Sequence, residues 1–320
     1  MRQKTPFILL LAALVSLSAL MPERAEAQPP PAKHRITYNA NVAARYNPLG
    51  LFLFGDVSFT ERLYRSRNVL LAQNHVSIGV APQLSPGFAR VGAKLEVQPL
   101  SIFKVWAAYD YGAWFGTFNF MQSFPSANSD WSDTAHRELD DSPNPNDHAF
   151  LSKGRTLTLG AQFQIKVGNI ALRNIFRAEM SHWEHRPGDR IIYTSIHDVP
   201  VIADGGWLLV NDLDLFYFFN ETGWLIAGRY NWTRAIYNDD AYTPEEIAAN
   251  VPREKNHMHR LGPGVGYTFK SRGPGFQDPM LVLFLNWYAK HRFRTGEDVH
   301  GAIPYVAIAY LMKGDLLRRN

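Results

Sequence analysis

Charged side chains recur at every second position along several stretches of this chain. Thirteen of them fall on the polar phase of those stretches: Arg90, Lys94, Glu96, Lys104, Asp110, Arg173, Arg177, Glu179, Asp212, Asp214, Arg229, Arg260 and Lys290. If that phase lines an enclosed interior, the excess of arginine and lysine predicts a water-filled pore with a mild anion preference. The opposing expectation is a set of ion pairs that fills the interior and conducts nothing, because an ionisable group away from bulk water must be paired or solvated.

Imidazoles form a second group. His136, His148, His182, His185, His197, His257, His259, His291 and His300 all lie toward the long polar stretches. His257-x-His259 puts two rings on one strand face, and His182-x-x-His185 is a possible companion for a transition metal. No cysteine and no ordered carboxylate spacing accompanies them, so ordinary loop composition is the better reading and no metal site is assigned. The carboxylate-rich run Asp140-Asp141, Asn144, Asn146, Asp147 lacks the 1, 3, 5 spacing and glycine of a calcium loop. Ser181 and His182 are adjacent, so on a strand they point to opposite faces and cannot pair as nucleophile and base. Gly262-Pro263-Gly264-Val265-Gly266 is followed by no helix, which rules out a nucleotide loop. Its glycines sit at period two on the inner phase, and Pro263 predicts a bulge. No catalytic residue and no cofactor is read in the sequence.

What positions these residues is a pattern of period two. In 35–46, Ile36, Tyr38, Ala40, Val42, Ala44 and Tyr46 share one face; in 156–167, Leu157, Leu159, Ala161, Phe163, Ile165 and Val167 do. Segments 90–98 and 103–111 alternate as cleanly, and a helix would scramble these faces. Less regular segments cover roughly 51–60, 75–81, 170–183, 207–219, 224–236, 259–269, 280–291 and 302–311, about twelve strands in all. The stretch 61–74 reads as a long turn or a short helix. The polar faces hold Gly, Ala, Asn, Gln and Thr, which suits a crowded interior, whereas a soluble sandwich would show more Lys and Glu there.

Composition narrows the classes. The 320 residues carry a net charge of +4, 13% aromatics and no cysteine. Disulfide scaffolds, thiolate metal sites and cysteine enzymes are excluded. So small a net charge is no nucleic-acid footprint. At the N-terminus Arg2 and Lys4 precede an apolar run from Phe7 to Met21 and then Ala25-Glu26-Ala27, the layout of a cleaved secretory signal. The expected organisation is a signal peptide at 1–27, a Pro-rich linker at 28–34, a barrel at 35–312 and a short periplasmic tail at 313–320.

Connections alternate in length. Pro99-Leu100-Ser101, Val167-Gly168-Asn169 and Asn220-Glu221-Thr222-Gly223 are tight, whereas 116–154, 185–206, 237–255 and 292–301 are long. Aromatics gather near segment ends: Tyr38, Tyr46, Tyr109, Tyr111, Trp224, Trp232, Tyr267, Phe269, Trp287 and Tyr310. In hydrocarbon every backbone polar group needs an internal partner, and a sheet meets that demand only by closing. With the signal ending at Ala27, the alternating segments and the last strand at 302–311, the chain resembles the Gram-negative outer-membrane β-barrel proteins as a class. The resemblance implies an all-β, closed, antiparallel up-and-down barrel with short periplasmic turns and long outer loops. It implies outer-membrane lipid and lipopolysaccharide as surroundings. A porin-like channel for small polar or anionic solutes is the expected role. The alternative is a non-conducting barrel acting through its outer loops, and, further off, a lipid-modifying enzyme.

Overall fold

Side chains on a strand alternate across the sheet, so a ribbon apolar on one face and polar on the other must hide one of them. This chain hides the polar face by closing on itself. The computed structural model describes residues 31–219 and 222–317. The expected signal peptide, the start of the expected linker, residues 220–221 and the last three residues of the expected tail lie outside the described residues.

The strands are β1 (His34–Tyr46), β2 (Gly50–Glu61), β3 (His75–Val80), β4 (Gln83–Ser85), β5 (Phe88–Leu100), β6 (Phe103–Phe115), β7 (Met121–Phe124), β8 (Leu151–Val167), β9 (Ile170–Trp183), β10 (Ile191–Thr194), β11 (Val201–Ile202), β12 (Asp204–Phe218), β13 (Trp224–Ile236), β14 (His257–Thr268), β15 (Gln277–Lys290) and β16 (Tyr305–Asp315). Two helices, α1 (Asp133–Asp140) and α2 (Pro244–Ala248), lie in the long connections. β3 and β4 occupy one barrel position, since both pair with β2 and with β5. Pro82 lies in the gap between them, where a residue without an N–H cannot continue the ladder. With β7, β10 and β11 set apart in a small sheet of their own, twelve antiparallel strands form the wall. Closure is made by β1 against β16, from Thr37 opposite Asp315 to Tyr46 opposite Val306.

Outward residues are apolar. Val91 is 53% exposed, Leu215 53% and Leu261 50%. Near the end that holds both termini, Trp224, Tyr267, Phe269 and Tyr310 run edge to edge with centroids 4.9–6.2 Å apart. Toward the other end stand Tyr109, Tyr111, Trp232 and Trp287. Trp224 and Trp232 are eight residues apart, about 26 Å along a strand and about 20 Å along the axis at the usual tilt, close to the height of an apolar band between two aromatic girdles. Among the described residues no helix is long and apolar enough to cross a membrane.

Four expectations are corrected. The connection 62–74 is long although it lies at the terminal end. It is a turn-rich segment pinned by Asn74, whose side chain accepts from Tyr64 N (2.8 Å) and donates to Tyr64 O (2.9 Å) and Leu71 O (2.5 Å). The first two connections at the opposite end, 47–49 and 86–87, are tight. Pro263 makes no bulge: the register from Leu261 to Gly264 is kept, and the shift falls between His259 and Arg260 instead. The last strand runs to Asp315, past the expected end of the barrel.

The long connections fold into a cap over the mouth opposite the termini, called here the outer mouth. β7, β10 and β11 form a three-stranded sheet within it. One face of that sheet packs Met121, Ile192 and Val201 onto inward wall residues Phe88, Trp114, Trp183, Leu208, Val210 and Met258. The other packs Phe124, Ile191, Tyr193 and Ile202 onto Trp131, Tyr242 and Phe293 of the surrounding loops.

Candidate functional site

Twelve of the thirteen charges singled out in the sequence stand on the inner phase of the wall. Arg90, Lys94 and Glu96 follow each other on β5, Lys104 and Asp110 lie on β6, and Arg173, Arg177 and Glu179 on β9. Asp212 and Asp214 lie on β12, Arg229 on β13 and Arg260 on β14. Lys290 is the correction. The β-bulge at the start of β14 brings it opposite His259, on the outer face. Simple alternation along β15 put it inside, and the extra residue of the bulge reverses that.

The lumen has two unlike walls. On β2, β5 and β6 the charges balance: Lys94 Nζ lies 3.2 Å from Asp56 and 3.1 Å from Glu96, and Lys104 Nζ 3.3 Å from Glu96. His75 Nε2 is 3.2 Å from the other Glu96 oxygen, and Asn39 donates to Asp56 at 3.3 Å. The opposite wall is built on arginine. Arg173 and Arg229 both grip Asp214, at 2.8 and 2.6 Å, and the carboxylate is fully buried between them. Arg177 donates to Asp212 at 3.2 Å, and Asn231 bridges from Asp212 (2.9 Å) to Arg260 (3.1 Å). Phe216, Phe284 and Tyr305 lie beneath Arg173, Arg229 and Arg260 at 5.2, 4.1 and 3.9 Å, as cation–π partners.

Among the described residues Arg90 and Arg260 form no ion pair, although Asp110 and Glu179 stand near enough to act on the Arg90 charge. Arg90 donates to Gln83 at 2.5 Å, and Arg260 to Asn231. Among the described residues neither is in a salt bridge, and Arg90 Nε and Arg260 Nε and Nη1 are buried without a hydrogen-bond partner. β5 and β14 stand six places apart in the ring of twelve, so these arginines face each other across the lumen, each a few residues from the outer end of its strand. Nearer the terminal end the Trp106 indole lies across Gly160, where a Cβ would come within 2.0 Å of the ring.

The cap is tied to this wall by polar contacts as well. His197, in the 184–203 connection, lies 3.0 Å from Glu179. Arg45 of β1 donates to the carbonyls of Ser195 and Ile196. At the centre sits Asp198, which accepts from Tyr193 (2.8 Å), Tyr288 (2.9 Å) and Arg294 (2.7 Å). Burial opposes its charge, but Arg294 outweighs burial and holds the carboxyl well below the usual range. His291 Nδ1 accepts from the backbone of Phe293 and Arg294, and Nε2 donates to the Asp198 carbonyl at 3.0 Å. Every ring nitrogen is committed to holding the loop, a structural use of histidine.

The remaining histidines do not gather. His182 lies on the outer face of β9, 3.5 Å from Asp204, and His185 contacts the Trp183 carbonyl at 3.1 Å. His257 and His259 are ring neighbours at 5.5 Å on β14, with β12 and β13 between them and β9. Among the described residues no group of three or more His, Asp and Glu could hold a metal. Ser181 points into the barrel and His182 out, as strand neighbours must. His75 was legible on the inner phase of its strand; His197 was not, because it sits in a loop without period.

A closed antiparallel barrel with an apolar exterior between aromatic girdles and a charged lumen is the architecture of outer-membrane β-barrels. No protein-family profile and no curated protein matches the sequence. Among solved structures the chain is similar to the β domain of the Bordetella autotransporter BrkA, at 10% identity and a TM-score of 0.41, covering 88% of this chain and 100% of that one. It is also similar to the translocator domain of the autotransporter NalP from Neisseria meningitidis (9%, 0.37, 96% and 96%) and to the KdgM porin (6%, 0.35, 87% and 98%). Likeness at this level carries no argument about function.

Proposed function

We propose that the protein is an outer-membrane barrel that takes small anionic solutes into its lumen and passes them, with Arg90 and Arg260 as the selective pair and the cap controlling access from outside. One observation carries this reading: two opposed guanidiniums with buried, unpartnered N–H donors and no carboxylate in ion-pair contact with either. A buried donor without a partner costs about 1–3 kcal/mol, and more when charged, which a bound anion relieves. The girdles and the hydrocarbon-facing exterior support the membrane placement. The role proposed is transport or binding, not catalysis, in keeping with the opposed directions of Ser181 and His182.

The dry core of the cap favours a second reading, a barrel that holds an anionic ligand without conducting. Planar-bilayer recording separates the two. The parent, or a variant with 184–203 shortened to a tight turn, is expected to give anion-preferring conductance. In Arg90→Gln/Arg260→Gln the reversal potential is expected to move toward cation preference. No conductance above background in any form rejects the channel, and unchanged selectivity rejects the role of the pair.

A further inference from the structure

The outer face of β13, β14 and β15 carries basic side chains just where its apolar belt ends. Arg234 opposes His257, and His259, two residues along on the same face, opposes Lys290. Strands lie about 4.8 Å apart and same-face neighbours about 7 Å, so the four groups frame an area about 10 by 7 Å. Exposed Lys255 continues the charge beyond the strand end. The charges acting most strongly on His257 are Lys290, His259, Arg234 and Lys255, all basic. Among the described residues none of the five is in a salt bridge, and Asp239 of the neighbouring loop is already held by Arg253 at 2.8 Å.

A second basic group on the exterior provides the contrast. Arg155 opposes His182 on β8 and β9, with Lys153 beside them. There acids are at hand: Asp204 is 3.5 Å from His182, and Glu184 accepts from the Lys153 backbone at 3.1 Å. Two carboxylates of the chain thus stand beside that group. Among the described residues none pairs with Arg234 or Lys290 in the patch on β13–β15, and like charges held near one another repel unless an anion joins them.

Its height points to the anion. Trp232 opposes His259, the Tyr230 hydroxyl lies 2.6 Å from His259 Nδ1, and Trp287 opposes Leu261. These basic groups therefore stand at and just above the outer aromatic girdle, the level of lipid headgroups. Below them Tyr230, Leu261, Val265 and Leu283 continue the apolar face. Gly228, where a Cβ would meet nothing within 4 Å, leaves a notch between Leu215 and Pro263.

We propose that Arg234, His257, His259 and Lys290 bind the phosphate groups of a phosphorylated glycolipid of the outer leaflet, the lipopolysaccharide headgroup, with its acyl chains lying on the apolar face beneath. The inference rests on the outer-membrane placement given above. Arginine offers a bidentate fork to phosphate, lysine adds a further charge-assisted donor and each imidazole an N–H.

The test is native mass spectrometry of the full chain, folded in detergent, with diphosphorylated lipid A as probe. The parent is expected to retain lipid A and to lose it at least tenfold more readily when the lipid is dephosphorylated. Millimolar inorganic phosphate is expected not to displace it. The variant Arg234→Gln/His257→Gln/His259→Gln/Lys290→Gln is expected to bind at least tenfold more weakly, while Lys153→Gln/Arg155→Gln binds as the parent does. Heat-modifiable gel migration reports that each variant is folded. If the fourfold variant is not, the exposed single changes Arg234→Gln and Lys290→Gln are each expected to weaken binding about threefold. Parent-like affinity in the folded variants of the β13–β15 patch, equal binding of dephosphorylated lipid A, or displacement by free phosphate overturns the proposal. A chain that fractionates with the outer membrane and yet fails these tests refutes the patch alone. A chain absent from that fraction refutes the placement.

Discussion

Asp198 in the cap and Asp214 in the lumen are both almost fully buried carboxylates gripped by arginine, yet they sit in different media. Arg294, the partner of Asp198, is 3% exposed, whereas Arg173 and Arg229, the partners of Asp214, are 34% and 24% exposed. Around Asp198 lie Tyr193, Tyr288 and the apolar clusters; around Asp214 the guanidiniums stay partly exposed to solvent. The cap is thus a small folded core set in the barrel mouth, and the lumen is a solvated, charged wall. A broken pair in the first has no water to replace it. In the second it has.

The largest expected effect follows directly. Asp198→Ala takes the buried acceptor from Tyr193, Tyr288 and one side of Arg294, whose other side stays on Asp133 at 2.8 Å, and should cost the cap about 3–5 kcal/mol. Hydrogen exchange at 191–202 is the measurement, and it should rise while β1, β2 and β16 stay protected. Equal loss of protection in the barrel strands would show that cap and wall are one unit.

Acid provides a second, smaller lever on the cap alone. His136 in α1 is stacked on Phe124 and edge-on to Tyr193. Burial lowers its pKa to about 4, against the pull of Asp133, with Arg294, Asp198 and Asp130 the other charges that act on it. The unfolded segment takes up a proton below about pH 6.5, but the folded one does not until about pH 4. Cap stability should therefore fall as pH drops through that window, by up to about 3 kcal/mol, and be flat above it. Exchange at 191–202 measured at pH 7 and pH 5 checks this, and His136→Phe should flatten the difference.

In the lumen, Asp214→Asn should cost only about 1–3 kcal/mol, because water reaches both arginines once the carboxylate is neutral. Urea unfolding in detergent checks the figure, and a loss as large as that of Asp198→Ala would erase the distinction between the two regions. At the terminal end, Lys313 and Asp278 form an exposed pair at 3.2 Å. Lys313→Ala should change the same midpoint by less than about 1 kcal/mol.

The wall was legible because its two faces meet different solvents, and period two records that difference residue by residue. Phase along 90–98, 103–111, 156–167 and 224–236 was enough to place Arg90, Lys104 and Arg229 inside. Phase failed at Lys290, where one extra residue in a bulge turned the side chain outward, and no composition signal marks a bulge of that kind. The cap was not legible for a related reason. Ile191-Ile192-Tyr193 is buried on both faces of a short strand, so it reads as a brief apolar run inside a polar loop.

By itself, then, the amino-acid order determined the repeat, its two faces and hence a closed antiparallel ribbon, since alternation is a local property carried by neighbouring residues. Tertiary structure alone decided which charges meet. Arg90 and Arg260 are 170 positions apart in the chain and face each other only because the ribbon closes, and the cap over them is assembled from four separate connections. Those contacts depend on ring geometry and loop packing, which are properties of the whole molecule.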